Sequence, residues 1–588
     1  MVNEFHNRTF LAVSKLVKSA INSCFKESNI TEEEIYKQLV ETPNIEMGHL
    51  SFPCFQLSKT LKNSPVELAK TLSENFPLGD HIERAIATGP YLNFYLNFKT
   101  LGNLEIEGIL DGSIFKAKIF SNTPKTMIEY SQPNTHKVLH VGHMRNLCLG
   151  NSLVNIFKYC GFDVIGATYP GDVGTHVAKC LWYIKHHNKE RIPRLDRGEW
   201  LGEIYTLATN KLDSELGTEK ESENRIQLTE ILKQIECKMG EYFDLWKETR
   251  QWSIELMETS YKWANVNFDR WFFESEVDSF SLRLAKEYFE MGFFNESQGA
   301  IGMDLSNDKL GFCILIKSDG TGNYACKDIA LAKKKFDEFK IEKSIYVVDE
   351  RQSLHFKQVF KILENVGFKQ AKDCFHLKYE MVELPDGAMS SRKGNIVPFM
   401  TLVHSMEKTI KEQYLNKYLE DGSWDRSQID ETATMIANGA IKYGMLRMDN
   451  QRKIVFDMKE WLRLDGETGP YLQYVNARIN SLCEKLNFDP QHKVAWDNLY
   501  SIQERALVNK LLLFNNVVEK SLLDYKPSYV CSYLFDLGKL FNSFYMECPI
   551  GKAPTEDLKR SRLRLAFATG LVMKQGLNLL GIPSPLRM

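Results

Sequence analysis

His140 and His143 lie three residues apart in the sequence HVGH, where a strand pattern gives way to a helix pattern. Side chains at this spacing share one face of a helical turn, and Gly142 lets a ligand approach the backbone closely. The N-terminus of a helix also favours phosphate. The segment therefore predicts a nucleoside triphosphate site, in which the imidazoles stabilise charge on phosphate during attack. Taken alone, such a pair most often has no function, and a metal pair is a further alternative.

A second candidate is the glycine-bounded segment GAMSSRKGN at 387–395, which holds two hydroxyls and two adjacent cations, Ser390, Ser391, Arg392 and Lys393. Such groups on a loop suit the β and γ phosphates of ATP as pyrophosphate leaves. In isolation the segment is typical of a solvated basic turn. The two motifs together, in this order, are far more specific than either one.

The elements around these motifs predict a doubly wound, Rossmann-like parallel α/β fold. The segment from KTMIEY to FDVIGATYPGD contains a strand, a polar turn, a long helix and a second strand, which is a βαβ unit. A charge-rich helical stretch follows. The apolar segments GFCILI and KSIYVVDE then predict that the parallel sheet resumes.

We therefore expect four regions. An α+β domain at 1–105 precedes the catalytic domain at 120–400, which carries a helical insertion at 181–300. A helical stem at 401–465 leads to an all-α domain at 466–588.

Composition excludes several classes of protein. The chain has 588 residues, 74 Lys plus Arg and 76 Asp plus Glu, so its net charge of −2 does not indicate a polyanion-coating protein. Its twelve cysteines show no zinc spacing, and no apolar run is long enough to span a membrane. We expect a cytoplasmic protein with reduced thiols, no zinc and no membrane partner.

The HVGH and MSSRKGN segments resemble the two signatures of the class I aminoacyl-tRNA synthetases. The segments IEYSQPNTHKVLHVGHMRN, YPGDVGTH, YVVDERQSLHFKQVF and GETGPYLQYVNARI narrow the resemblance to the arginyl-tRNA synthetases, over nearly the whole chain. The resemblance implies activation of L-arginine by ATP with Mg²⁺, followed by transfer to the terminal 2′-hydroxyl of tRNA(Arg). It also implies that activation requires bound tRNA, and that the C-terminal domain binds the anticodon.

The resemblance also assigns an arginine pocket. By that comparison Glu129, Tyr324 and Asp328 contact the guanidinium, and planar carboxylates suit a guanidinium. Asn134 and Gln352 correspond to positions that bind the α-amino and α-carboxyl groups. Without the resemblance, Asp328 is typical of a helix cap and Glu129 of a surface strand.

The ATP site implied by the resemblance comprises eight residues. They are His140, Gly142, His143, Gly171, Asp172, His355, Ser390 and Ser391. His140, His143, Ser390, Arg392 and Lys393 are the expected catalytic groups. The second signature departs from its class, because Ala388 and Ser391 stand where lysines are usual. Whether Arg392 or Lys393 contacts the leaving phosphates stays open.

Contacts with tRNA are predicted in two regions. Tyr471, Tyr474 and Arg478 fall on one face of a helix and are expected either to stack on anticodon bases or to form a core stripe. Asn97, near the strand YLNFYL, is expected to touch the tRNA. The segment DLKRSRLR at 557–564 is either a phosphate-binding face or a solvated one. Residues 466–588 contain 15 basic and 11 acidic residues, so the positive charge is local.

Two alternatives remain at this stage. The first is a synthetase for lysine, because paired acids such as Glu129 and Asp328 also suit that cation. The second is a non-catalytic relative that binds tRNA or senses arginine, for which the altered second signature is the only indication. A monomer is expected.

Overall fold

The computed structural model describes residues 2–3, 6–25, 28–385, 387–388 and 397–588. The first region consists of a four-stranded antiparallel sheet in the order β2-β3-β5-β4, covered by helices. Its elements are β1 (Val2–Asn3), α1 (Arg8–Cys24), α2 (Glu32–Gln38), β2 (Val40–Glu41), β3 (Leu50–Pro53), α3 (Phe55–Leu61), α4 (Pro65–Glu74), β4 (Ile82–Thr88), β5 (Tyr91–Leu96), α5 (Phe98–Leu101), α6 (Glu107–Leu110) and α7 (Ser113–Lys116). An α+β domain at this end agrees with the sequence.

The second region is built on a five-stranded parallel sheet in the order β14-β13-β7-β8-β9. Its strands, with strands of three small sheets, are β6 (Phe120–Ser121), β7 (Thr126–Glu129), β8 (Val164–Thr168), β9 (Arg270–Trp271), β10 (Asn295–Ser297), β11 (Ala300–Asp304), β12 (Phe312–Ile316), β13 (Lys343–Asp349), β14 (Cys374–Tyr379) and β15 (Val382–Leu384). Its helices are α8 (Val141–Tyr159), α9 (Thr175–His186), α10 (Arg197–Ser214), α11 (Glu219–Cys237), α12 (Glu241–Trp263), α13 (Glu274–Glu290), α14 (Tyr324–Phe339) and α15 (Ser353–Asn365). The predicted parallel α/β fold is thereby confirmed.

Strand β7 lies at the centre of this sheet. The chain leaves β7 through α8 to β8 on one side, whereas β13 pairs with β7 on the other side. The strand order reverses at β7, and ligands of such sheets bind in the crevice at the carboxyl ends of the strands around this point. Glu129 is the last residue of β7 and lies opposite Tyr346 of β13.

The assignment of strands to sheets differs from the prediction in two ways. Strand β12, the segment GFCILI, belongs to a separate antiparallel sheet in the order β10-β11-β12, so the prediction that it resumes the parallel sheet is wrong. Strand β9, inside the range predicted as helical insertion, instead completes the parallel sheet beside β8. A short apolar run predicts a strand but carries no information about which sheet it joins. The domain boundaries themselves stay predictions.

The remaining region is almost entirely helical. Its elements are β16 (Gly387–Ala388), α16 (Phe399–Ile410), α17 (Asn416–Glu420), α18 (Arg426–Leu446), β17 (Ile454–Val455), α19 (Met458–Trp461), α20 (Gly469–Lys485), α21 (Ile502–Leu512), α22 (Phe514–Asp524), α23 (Ser528–Glu547) and α24 (Glu556–Leu579). Helices α18 and α24 pack against α8, most of whose residues are buried. Helix α8 is thus fixed between the parallel sheet and the helical region. Of the helices that the structure describes, none is long and apolar enough to cross a membrane.

Candidate active site

A cavity of about 610 Å³ opens at the carboxyl ends of β7, β13 and β14, beside the N-termini of α8 and α14. Its lining includes Glu129, Ser131, Gln132, Asn134, His140, Gly142, His143, Asn146, Tyr169, Glu274, Tyr324, Asp328, Val348, Asp349, Arg351, Gln352, His355, Phe356, Tyr379, Met381 and Val382. All five residues of the predicted arginine pocket are among them. So are the two histidines and the glycine of HVGH, so the cavity brings residues of both predicted sites together.

The two histidines form a reciprocal cap at the start of α8. His140 Nδ1 accepts a hydrogen bond of 3.1 Å from the Gly142 backbone N–H, and His143 Nδ1 accepts one of 3.1 Å from the His140 N–H. Since each Nδ1 acts as an acceptor, the proton of each neutral ring lies on Nε2. The rings lie 3.9 Å apart between centroids. HVGH therefore supplies two Nε2–H donors fixed by the backbone.

Burial keeps both of these rings neutral. It lowers the pKa of His140 to about 4, with the nearby charge of Lys137 acting in the same direction. Burial, His140 and Lys137 lower the pKa of His143 well below its usual value. At neutral pH these side chains donate hydrogen bonds without carrying a charge.

The carboxylates of Glu129, Glu274 and Asp328 define what we call the acidic end of the cavity. The side chain of Glu129 is buried. One oxygen pairs with the ammonium group of Lys335, and the other accepts a hydrogen bond of 3.3 Å from Gln132 Nε2. Lys335 is fully buried and its ammonium lies 4.1 Å from the centre of the Tyr346 ring. The negative charge of Glu129 is therefore balanced from behind by a lysine that the sequence did not single out.

Asp328 lies on α14, one turn after the exposed Tyr324. Its Oδ2 lies 2.6 Å from His355 Nε2 on α15. Burial opposes protonation of His355, but the hydrogen bond and charge of Asp328 outweigh burial and raise the pKa of the imidazole. The sequence assigned these two residues to different ligands, and the structure brings them into direct contact. Gln352, just before α15, is exposed to the cavity.

Gly171 adjoins the cavity without lining it. Its backbone pairs with Asn134, and a Cβ atom at this position would lie 2.4 Å from Asn134 Oδ1 and 3.1 Å from Glu274 Oε1. A side chain at residue 171 would therefore displace Asn134. Glu274 Oε2 accepts a hydrogen bond of 3.1 Å from Lys327, and burial raises the pKa of Glu274 to about 7. Glu274, which lies in the insertion, was not predicted as a site residue.

The sequence predicts that Asp172 contacts ATP, but Asp172 does not line the cavity. Its carboxylate is fully buried and accepts hydrogen bonds from Ser275 N at 2.9 Å and Ser275 Oγ at 2.6 Å. It also accepts one of 2.7 Å from Arg250 Nε. Because Ser275 follows Glu274 at the start of α13, these contacts give Asp172 a structural role, which is to hold Glu274 at the cavity.

Most of the second signature, residues 389–395, lies outside the described residues. The predicted phosphate-contacting residues Ser390, Ser391, Arg392 and Lys393 lie outside the described residues. Within the described part of the chain, no group of three or more His, Cys, Asp or Glu side chains has the arrangement of a metal site.

The structure separates the three predicted anticodon-contacting residues. Tyr471 is buried, its hydroxyl accepts a hydrogen bond of 2.9 Å from Asn542 Nδ2, and its ring packs against Phe535, so it is a core residue. Tyr474 and Arg478 are half-buried on the same helix α20, and the Arg478 guanidinium lies over the Tyr545 ring. Only Tyr474 and Arg478 retain accessible surface for a nucleotide.

The other predicted tRNA contacts also have structural partners. Asn97 caps α5 by accepting a hydrogen bond of 3.2 Å from Thr100 N. In the basic segment 557–564, Arg562 is buried against Glu504, and Arg564 pairs with Glu107 near the N-terminal domain. These arginines are therefore internal, and the segment is neither a uniform phosphate-binding face nor a uniformly solvated one.

Three family models match the chain in succession. The arginyl-tRNA synthetase N-terminal domain matches residues 12–96, the catalytic domain of class I tRNA synthetases (R) matches 106–458, and the DALR anticodon-binding domain matches 472–588. The class I model alone covers more than half of the chain. The chain belongs to the arginyl-tRNA synthetases. The reaction of this family is the ligation of arginine to tRNA(Arg) for translation.

Individual arginyl-tRNA synthetases are similar to this chain over nearly its full length. The arginine–tRNA ligase of Bdellovibrio bacteriovorus is 52% identical over 99% of this chain and 100% of its own, and that of Treponema denticola is 33% identical over 97% and 98%. The solved Thermus thermophilus arginyl-tRNA synthetase superimposes with a TM-score of 0.80 at 25% identity, covering 98% of this chain and 99% of its own. The resemblance noted in the sequence is thereby confirmed.

Proposed function

We propose that the cavity holds arginine at its acidic end and ATP at its HVGH end. In the first step a carboxylate oxygen of arginine attacks the α-phosphorus of ATP, a new P–O bond forms, and the bond to the β-phosphate oxygen breaks to release pyrophosphate. In the second step the terminal 2′-hydroxyl of tRNA(Arg) attacks the arginyl carbonyl. An ester C–O bond forms, the bond between the carbonyl carbon and the phosphate oxygen breaks, AMP departs with its electron pair, and the hydroxyl proton passes to the AMP phosphate or to solvent.

One observation carries this proposal: acidic side chains and uncharged imidazole donors converge in the same cavity. Glu129 and Asp328 offer acceptors for the guanidinium, a group with five N–H donors and no acceptor. Asn134 Oδ1 and Glu274 Oε1 both lie close to Gly171, and we place the α-ammonium group of arginine between them. This leaves the arginine carboxylate on the side of His140.

His140 and His143 act by electrostatic stabilisation of the phosphate. Their Nε2–H groups donate to phosphate oxygens as negative charge develops, and both donors are held by the backbone before ATP arrives. Mg²⁺ enters with ATP, because this ion keeps several waters and binds mainly through substrate phosphates. Arg392 or Lys393 neutralises the pyrophosphate. No covalent enzyme intermediate is involved.

The helical domain binds the tRNA, and Tyr474 and Arg478 contribute to that surface. The protein acts in the cytoplasm as a monomer, and arginine activation requires the bound tRNA. Pyrophosphate exchange at full rate without tRNA would contradict this last element. The lysine alternative left open by the sequence does not agree with the family to which the chain belongs.

The experiment that tests the pocket compares Asp328→Asn with Glu276→Gln. Glu276 is a carboxylate outside the cavity that pairs with Arg270 and Lys334, so its variant controls for the loss of a charge. Asp328→Asn is expected to raise the KM for arginine by about 10- to 100-fold, since a hydrogen bond to a charged group is lost. Glu276→Gln is expected to leave it unchanged. Wild-type charging of lysine in preference to arginine would contradict the assignment.

A further inference from the structure

Arg145 lies on α8, two residues after His143, and only 1% of it is exposed. Its guanidinium donates hydrogen bonds to backbone carbonyls of two separate segments. Nη1 donates to Glu380 O at 2.6 Å, Met381 O at 3.4 Å and Arg452 O at 2.7 Å, and Nη2 donates to Asp449 O at 3.1 Å and Asn450 O at 3.2 Å. One side chain of the HVGH helix therefore holds both segments.

The first of these segments lines the cavity, and the second is joined to the first. Glu380 N donates to Asn450 O at 2.9 Å, and β15 runs parallel to β17, so the segments are joined to each other. Met381 and Val382 line the same cavity as His140, Gly142 and His143. Strand β15 also pairs with β16 at residues 387–388, where the second signature segment begins. Arg145 thus connects the helix of the first signature to the strand beside which the second one starts.

The bonding of Arg145 is unusual for a buried cation, because no described carboxylate lies within hydrogen-bond distance of it. Burial lowers the pKa of Arg145 to about 10, so the guanidinium stays charged at neutral pH. A buried charged group is weak evidence for stability, because apolar side chains of similar volume often serve as well. A planar fork of donors does, however, fix the direction of each carbonyl that it binds.

We propose that Arg145 is a positioning residue for adenylate formation. It touches no substrate, and it fixes the wall formed by Met381 and Val382 at the distance from His140 and His143 that ATP requires. This inference rests on the proposed placement of ATP at the HVGH end of the cavity. The arginine pocket is held by other elements, β7 and α14, and does not depend on Arg145.

The test is Arg145→Lys, which keeps the positive charge and removes the planar fork. We expect the kcat of arginine-dependent pyrophosphate exchange, measured with tRNA present, to fall by about 10- to 100-fold, the size of effect that a shift of about 1 Å produces. The KM for arginine is expected to stay within about twofold of the wild-type value, since that end of the cavity is unchanged.

Arg562→Lys is the matched control. Arg562 is also buried, at 5% exposure, and donates to Glu504 and to Pro549 O, but it lies outside the cavity lining. Its substitution is expected to lower the melting temperature while leaving kcat unchanged. Asp449→Ala provides a second variant, because Asp449 holds the 449–452 turn through Gln451 N and Lys526 while Arg145 stays intact. It is expected to lower kcat severalfold.

Three results would overturn the proposal. They are an unchanged kcat in Arg145→Lys, an equal fall in kcat in Arg562→Lys, and, should Arg145→Lys not fold, an unchanged kcat in Asp449→Ala. A wild-type chain that makes no arginyl-adenylate would contradict the proposed function and this inference together. An active wild type with unaffected variants would contradict the inference alone.

Discussion

His355 Nε2 and Asp328 Oδ2 lie 2.6 Å apart, so the imidazole shares the carboxylate that is proposed to bind the guanidinium of arginine. The two residues stand on neighbouring helices, α14 and α15, and both line the cavity. A protonated His355 places a positive charge where the substrate must place its own. Arginine binding is therefore linked to the protonation of His355.

This linkage predicts a pH dependence. Since Asp328 raises the pKa of His355 above 6.5, the imidazole is charged below that raised value and neutral above it. The KM for arginine should fall as the pH rises through the pKa of His355, and His355→Gln should abolish this change. His376→Gln is the control, because His376 lies nearby but outside the cavity lining. Identical pH profiles for the wild type and His355→Gln would contradict the linkage.

A second prediction concerns the buried pair of Lys335 and Glu129. Lys335→Met removes the cation and leaves the buried carboxylate without its partner, which is expected to cost about 3–5 kcal/mol in free energy of unfolding. Lys334→Met is the control, because Lys334 is partly exposed and its surface pairs contribute about 1 kcal/mol or less. Urea denaturation measures both variants. Equal losses would show that the Glu129 pair is no stronger than a surface pair.

A third prediction concerns stability in acid. His136 is fully buried, its ring nitrogens lie 2.9 Å and 2.8 Å from the hydroxyls of Thr135 and Thr249, and burial lowers its pKa to about 3. In the unfolded chain His136 takes up a proton near pH 6.5, whereas in the folded chain it does so only near pH 3. The contribution of neutral His136 to the free energy of unfolding is therefore complete above pH 6.5 and is lost as the pH falls from 6.5 towards 3.

The loss is expected to reach a few kcal/mol, at about 1.4 kcal/mol for each pH unit of the window. His136→Gln should show a shallower loss of unfolding free energy between pH 6.5 and 4 than the wild type. His404→Gln, at an exposed site, should not. Parallel curves for the wild type and His136→Gln would contradict the assignment of the acid sensitivity to His136.

The parts of the fold that the sequence predicted are those set by local pattern. Alternating strand and helix patterns gave the parallel sheet, and HVGH marked the start of α8 at the cavity. The segment GFCILI was misplaced because its apolar character is satisfied equally in the small antiparallel sheet. The sequence left two roles open for Tyr471, a core residue or a contact to tRNA. Helical spacing shows which residues share a face of a helix but not what covers that face, and the structure shows Tyr471 buried.

The site residues that were not predicted from the sequence were missed for one shared reason. Lys335 is distant in sequence from Glu129, and Glu274 lies in an insertion whose own pattern is that of an ordinary charged helix. Their roles depend on tertiary contacts that have no signal in local spacing. The same holds for Arg145, which reads as one more charged residue after HVGH until its carbonyl partners from two distant segments are seen.

A fourth prediction concerns the tRNA surface. Tyr474→Ala and Arg478→Ala should each raise the KM for tRNA by about 10-fold, since stacking on a base contributes about 1–3 kcal/mol. Tyr500→Ala, at a tyrosine that is 64% exposed in the same domain, is the control. Tyr471→Phe should leave the KM for tRNA unchanged, because its hydroxyl is bonded to Asn542 inside the domain. A larger rise in the KM for tRNA in the Tyr500 or Tyr471 variant would contradict the assignment of the tRNA-binding surface to Tyr474 and Arg478.

The most direct measurement is aminoacylation itself. Purified protein is incubated with ATP, Mg²⁺, labelled arginine and tRNA(Arg), and the acid-precipitable arginyl-tRNA is counted, with labelled lysine and its tRNA in a parallel reaction. The account predicts arginyl-tRNA, no lysyl-tRNA, and loss of most product when His140 or His143 is replaced by alanine. The absence of arginyl-tRNA, with a tRNA that a known arginyl-tRNA synthetase charges, would contradict it.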